Sequence, residues 1–122
     1  MFPRAAVVIL VLLLVSIATL VVIASVRIKR AEDVAKCERV ATDSRVFRTQ
    51  LEAYRMTNRS FPTTEQGLQA LVEKQLLGLI PEDPWNTKYV YRCPGKKHPD
   101  GYDLFSAGPD RTPDTADDVW RD

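Results

Sequence analysis

Residues 5–26 carry no charge and are rich in Val, Leu and Ile, so the hydrophobic pattern of the chain opens with twenty-two unbroken apolar or small positions. As a helix rising 1.5 Å per residue, such a run is about 33 Å long, enough to cross a hydrocarbon core of roughly 30 Å. It predicts a membrane anchor. A cleaved secretory signal is the competing expectation, because Met1 to Arg4 resembles a basic n-region and Ala24 and Ser25 are small. The run is longer than a usual h-region and no clean small-x-small site follows it, which favours the anchor. Residues 1–30 are therefore expected to be an anchor with flanking basic residues, and residues 31–122 a globular domain. Arg27, Lys29 and Arg30 follow the span while Arg4 and the amino terminus precede it. Counted simply, positive-inside places the globular part in the cytoplasm.

Beyond the span the pattern changes period. Val34, Cys37, Val40 or Ala41, Ser44, Phe47, Leu51 and Tyr54 recur at three- and four-residue steps. Glu32, Asp33, Lys36, Glu38, Arg39, Arg45, Arg48 and Glu52 fall between them. This predicts an amphipathic helix continuing without a break from the membrane, one stripe facing a core. An ordinary anchor followed by a separate core helix, broken near residues 27–30, fits the same residues.

Residues 58–64 read as a loop closed by Phe61 and Pro62. Thr63 with Gln66 forms a capping-box signature for a short second helix bearing Leu68, Leu71, Val72 and Leu76. Pro81 and Pro84 then stop helical structure, and residues 83–86 read as a turn carrying Trp85. Residues 88–93 alternate, with Tyr89, Tyr91 and Cys93 on one face, as an exposed antiparallel strand does. Residues 94–101 are a turn-rich connector, and residues 102–106 alternate again. The class is α+β: a long N-terminal helix, transmembrane and then amphipathic, with a small antiparallel β-sheet of two or three strands packed on it.

With 122 residues and a net charge of +1, the chain has room for one small domain and no case for nucleic acid. Lys96 and Lys97 read as part of a solvated loop, and His98, the lone histidine, as exposed. Cys37 and Cys93 are too few and too far apart for a zinc cluster. In an oxidising compartment they could join the long helix to the first strand; they also fit as two small buried apolar residues. No nucleophile has a plausible base partner and no glycine-rich phosphate loop exists, so the chain is not expected to be an enzyme.

The most chemically suggestive stretch is the last. Asp110, Asp114, Asp117 and Asp118 lie between Gly108 and Trp120, diluted by one arginine. Four carboxylates so close repel one another unless a cation joins them. Pro109 and Pro113 stiffen the loop and remove two backbone donors, so carbonyls and carboxylates can turn inward together. Calcium takes six to eight such oxygens. A solvated acidic turn fits equally well on composition, since Asp, Pro, Thr and Gly are ordinary turn residues and the spacing is not that of an EF-hand.

Three segments resemble the G-type major pseudopilins of bacterial type II secretion: FPTTEQGLQALVEK at residues 61–74, DPW at 83–85 followed by YVY, and YDLFSAGPDRTPDTADDVW at 102–120. They fall within the sixty residues 61–120, outside the membrane, in order and with similar spacing. The resemblance implies a pilin-like fold with a calcium-holding loop after the last strand. It implies side-chain ligands at Asp110 and Asp117, with Asp118 adjoining, and backbone oxygens at Ala107, Thr112 and Thr115. It also implies self-association, helix against helix, into a filament with other pseudopilins and inner-membrane secretion components, the domain lying in the periplasm. That places the domain opposite to the simple charge count; Glu32 and Asp33 beside the basic cluster, and the abundance of calcium outside cells, favour the resemblance.

The start of the chain departs from the family. Members carry a basic leader ending in glycine, then phenylalanine, then a glutamate at the fifth mature position; residues 1–31 contain neither a glycine nor a glutamate. An uncleaved anchor is therefore expected. A non-polymerising, membrane-tethered calcium-binding module with the same fold is the alternative function.

Overall fold

The computed structural model describes residues 1–121, and the chain divides into two compact units, Met1–Ala35 and Lys36–Asp122. Helix α1, Arg4–Asn58, is 55 residues long and contributes to both. The sequence favours such length: no proline or glycine lies within it, and small, straight-chain and β-branched residues alternate without a cap signal.

In the first unit α1 is exposed on every side, and its best 18-residue window has a mean hydropathy of 3.3. By length and composition it can cross a membrane. Two of the span's three hydroxyls are tied back to the helix: Thr19 donates to the Ser16 carbonyl and Ser25 to the Val21 carbonyl, each at 2.8 Å. Each such bond spares a donor that a hydrocarbon environment would otherwise penalise.

In the second unit the predicted stripe is the one that is buried. Val40, Ser44, Phe47, Leu51 and Tyr54 are covered, and Cys37 is half-buried, while Val34 is 61% exposed. Burying a side chain such as Phe47 or Leu51 contributes about 1.5–3 kcal/mol. Helix α1 ends where Arg59 turns left-handed (φ +64°) and donates its N–H to the Arg55 carbonyl at 2.7 Å.

The capping box forms as expected: the Thr63 N–H donates to Gln66 Oε1 at 2.9 Å, and the Gln66 N–H to Thr63 Oγ1 at 3.2 Å. The helix it announces does not follow at once. Gly67 sits at φ +59°, which interrupts helical dihedrals, so helix α2 is only Gln69–Glu73. Gln75, at φ +59°, closes it before either proline is reached. Leu68, Ala70 and Leu71 still enter the core.

Strands β1 (Val90–Arg92), β2 (Asp103–Ser106) and β3 (Val119–Trp120) form one antiparallel sheet in the order β1-β2-β3. Tyr91 faces Leu104, Arg92 faces Asp103, and Phe105 faces Val90 on one side and Trp120 on the other. Tyr89 and Tyr91 are buried as the alternation predicts. Tyr89 meets the Phe47 ring edge-on at 5.1 Å and its hydroxyl donates to Asp43 on α1 at 2.7 Å. Burial, then the Asp43 carboxylate, pushes the Tyr89 phenol well up from its ordinary value, so it remains a donor.

Strand β2 departs from alternation: all four of its residues are buried. As the central strand it is covered on both faces. Leu104 joins the core under α1, while Phe105 stacks on Trp120 with centroids 4.2 Å apart. Cys37 and Cys93 are free thiols.

Candidate metal-binding loop

Residues 107–118 connect β2 to β3 and so lie between two strands, not after the last one as expected, because Val119 and Trp120 return to pair with β2; the loop's ends are drawn together by a glycine. Gly108 has φ +71°, and a Cβ there would collide with the carbonyl oxygen of Asp117. Only glycine allows the two ends of the loop to approach so closely. Ala107, just before it, is 3% exposed.

Inside the loop each turn is tied locally. The Thr112 N–H donates to Asp110 Oδ1 at 2.9 Å, and the Thr112 hydroxyl returns to the Asp110 carbonyl at 3.2 Å. The Thr115 hydroxyl donates to the Thr112 carbonyl at 3.1 Å, and the Asp118 N–H to the Thr115 carbonyl at 3.3 Å. The Asp114 N–H donates to Asp118 Oδ2 at 2.9 Å.

The four aspartates differ sharply in their partners. Asp114 is held by both guanidinium nitrogens of Arg92, at 2.7 and 2.8 Å, with Lys96 Nζ 3.6 Å away. Arg92 thereby holds the Asp114 carboxyl below the usual carboxylate range. Asp110 accepts one N–H. Asp118 accepts one on Oδ2, but its Oδ1 is buried with no hydrogen-bond partner. The Asp117 side chain has no hydrogen-bond or ion-pair partner among the described residues.

A buried carboxylate oxygen without a donor has lost water and gained nothing in return, an arrangement that a cation corrects. Among the described residues no three His, Cys, Asp or Glu side chains converge on one point. A cation here would therefore need backbone oxygens as well. The carbonyls of Thr112 and Thr115 each accept one hydrogen bond and keep a second lone pair. Mixed side-chain and carbonyl oxygens are what calcium accepts, so the donor set fits that ion better than zinc.

Reading the sequence alone misses Arg92, which reaches the loop from β1. Its only signal is a charge at the end of an alternating strand. His98 is also less free than expected: its Nδ1 lies 3.0 Å from Asp103 Oδ1, and its ring is 44% exposed. The backbone beside Lys96 and Lys97 is engaged with the same carboxylate.

Comparison with known proteins gives a consistent result. The family model for protein G of the type II secretion system (T2SS) matches residues 27–121. The type II secretion system core protein G of Dickeya chrysanthemi is 36% identical over 95 aligned residues, covering 67% of this chain and 61% of the relative. The protein of the same name from Escherichia coli K12 is 37% identical, with 67% of this chain and 64% of the relative covered. The chain thus spans somewhat less than two thirds of the length of these relatives. The crystal structure of the major pseudopilin from the type 2 secretion system of enterohaemorrhagic Escherichia coli aligns with a TM-score of 0.67 at 35% identity, covering 72% of this chain and 83% of that one. An N-terminal helix leading into a three-stranded antiparallel sheet, and a match reaching from residue 27 through the acidic loop, carry one conclusion: the chain belongs to the type II secretion protein G family, the major pseudopilins.

Proposed function

We propose that this chain is a structural subunit of a type II secretion-like pseudopilus that assembles through its N-terminal helix and assists protein export. The observation that carries the reading is an apolar helix of membrane-spanning length whose residues 4–35 are all exposed. Such a surface needs lipid, or the same helix of neighbouring subunits, against it. The family supplies the context, and the role is structural rather than catalytic. In this reading the helix sits in the bacterial inner membrane and the second unit lies in the periplasm.

Expression of the full chain with the inner-membrane secretion components that build such fibres is the test. Sheared, sedimentable fibres containing the chain are expected. Membrane-bound monomer alone, under conditions in which a known protein G polymerises, overturns the assembly reading and leaves a tethered module.

Calcium is the second part of the proposal. The side chains of Asp110 and Asp117, with Asp118 adjoining, and the carbonyls of Ala107, Thr112 and Thr115 would hold it. The ion supplies the positive charge that lets these oxygens stay together. Binding at a free calcium concentration about a hundredfold above Kd adds roughly 2.7 kcal/mol to stability. Thermal melts in calcium and in chelator should differ accordingly. A melting temperature indifferent to calcium would make the loop a solvated acidic turn.

A further inference from the structure

Arg92 stands outside the acidic loop yet forms its one bidentate ion pair among the described residues. The arginine is well anchored. Its side chain is 19% exposed against 50% for Asp114, and its guanidinium lies 5.4 Å from the centroid of Phe105, the fully buried ring that also stacks on Trp120. A planar fork packed on an aromatic ring presents two donors in a fixed direction.

What the fork holds is a strained residue. Asp114 has φ +68°, a left-handed conformation that is unfavourable for a non-glycine residue and persists where surroundings impose it. In that conformation its N–H reaches Asp118 Oδ2, while Asp118 Oδ1 is left buried and unpartnered. A chain of contacts therefore runs from the sheet, through Arg92 and Asp114, to the carboxylate whose Oδ1 has no partner among the described residues.

We propose that Arg92 is a positioning residue for the calcium loop: by clamping Asp114 it fixes the loop, and Asp118 within it, before metal arrives. This rests on the calcium reading above. The sign of the effect separates the clamp from its rivals. A guanidinium acting only as a nearby positive charge repels a cation, so its removal would tighten calcium binding. If Asp114 were a ligand held back by Arg92, its release would also tighten binding. A clamp does the reverse, because without it the metal must order the loop itself.

The test uses the full chain in detergent micelles, as wild type, Arg92→Ala, Arg92→Lys, Asp114→Asn and the Arg92→Ala/Asp114→Asn double variant. Hydrogen exchange in chelator reads the loop without metal, and calorimetric titration with calcium reads affinity. Arg92→Ala should speed exchange of the Asp114 and Asp118 amides about tenfold and raise the calcium Kd about tenfold. Arg92→Lys, which keeps the charge and loses the fork, should fall near Arg92→Ala. Asp114→Asn should match it too, and the double variant should be no worse than either single change.

Unchanged loop exchange in chelator, or calcium binding that is equal or tighter in Arg92→Ala, overturns the clamp. A wild type that gives no calcium heat overturns the calcium reading instead, and the chelator exchange then decides the clamp alone. If Arg92→Ala also loosens the amides of β2, Asp114→Asn decides, since its half-exposed side chain can be changed without opening the core.

Discussion

Two sets of aspartates sit within one small unit, and they are treated in opposite ways. Asp83 and Asp103 are 1% and 0% exposed, and both of their oxygens are supplied with donors. Asp83 Oδ1 accepts the N–H groups of Trp85 and Thr87, and Oδ2 accepts the hydroxyls of Thr87 and Ser106. Asp103 Oδ2 accepts the N–H groups of Lys96 and Lys97, and Oδ1 lies against the N–H and ring of His98. In the loop of residues 107–118, by contrast, prolines remove donors, and among the described residues Asp117 has none and Asp118 Oδ1 is buried without one. A carboxylate can be buried wherever the chain brings enough N–H groups to it. At Asp117 and Asp118 Oδ1 the chain brings no such groups among the described residues, and the proposed cation would take their place.

The largest expected effect comes from the fully satisfied set. Asp83→Ala strands two N–H groups and two hydroxyls in the interior and should cost about 4 kcal/mol. Urea unfolding should show the same loss in calcium and in chelator. A loss that vanished in one of the two media would end the distinction between the two sets.

Sequence makes only one of these sets visible. Four aspartates in a short loop with two prolines announce themselves by composition, as the buried stripe of α1 does by spacing. Asp83 and Asp103 look like a turn residue and a strand residue, because their donors come from backbone conformation and not from residue type. The sole hint is Gly95, where a Cβ would lie 2.5 Å from Asp103 Oδ1, so that only glycine leaves room for the cage. Strand β3 is likewise hidden: two residues carry no periodicity, and only their pairing with β2 makes them a strand. The early end of α2 follows from the left-handed backbone at Gly67 and Gln75, which a capping box three residues upstream does not register.

Asp103 offers the next effect. Burial alone would raise its carboxyl, but the N–H of Lys97, the His98 ring and the N–H groups of Lys96 and His98 outweigh that and hold it below its ordinary value of 3.8. A depressed folded-state value means that the stabilisation is complete above about pH 4 and is lost as pH falls through the lowered value. The charged neighbours are Lys96, Lys97, His98 and, across the strand pair, Arg92. Asp103→Asn should lower stability by about 3 kcal/mol at neutral pH, since an amide turns donors toward donors. Its deficit should shrink when unfolding is repeated below pH 3, where the wild type loses the same interaction. A deficit that stays constant across that range would show that packing, not charge, makes the cage.

Asp117→Ala should do the converse. In chelator its stability should lie within about 0.5 kcal/mol of wild type, because the side chain has no partner among the described residues. In calcium it should lack most of the roughly 2.7 kcal/mol gain expected at a hundredfold excess over Kd. An equal response to calcium in variant and wild type would remove Asp117 from the ligand set.

Asp110→Asn is the finest probe, because it separates the two uses of one carboxylate. Asp110 Oδ1 accepts the Thr112 N–H, a task the amide oxygen of asparagine performs as well, so the turn should survive and the chelator melt should shift by less than about 0.5 kcal/mol. The amide keeps a neutral oxygen for a cation but gives up the charge, so the calcium gain should fall by about 1–2 kcal/mol and not disappear. If the chelator melt moved and the calcium gain did not, Asp110 would belong with Asp83 and Asp103, a carboxylate serving its own turn, and the metal would be left to Asp117, Asp118 and the carbonyls.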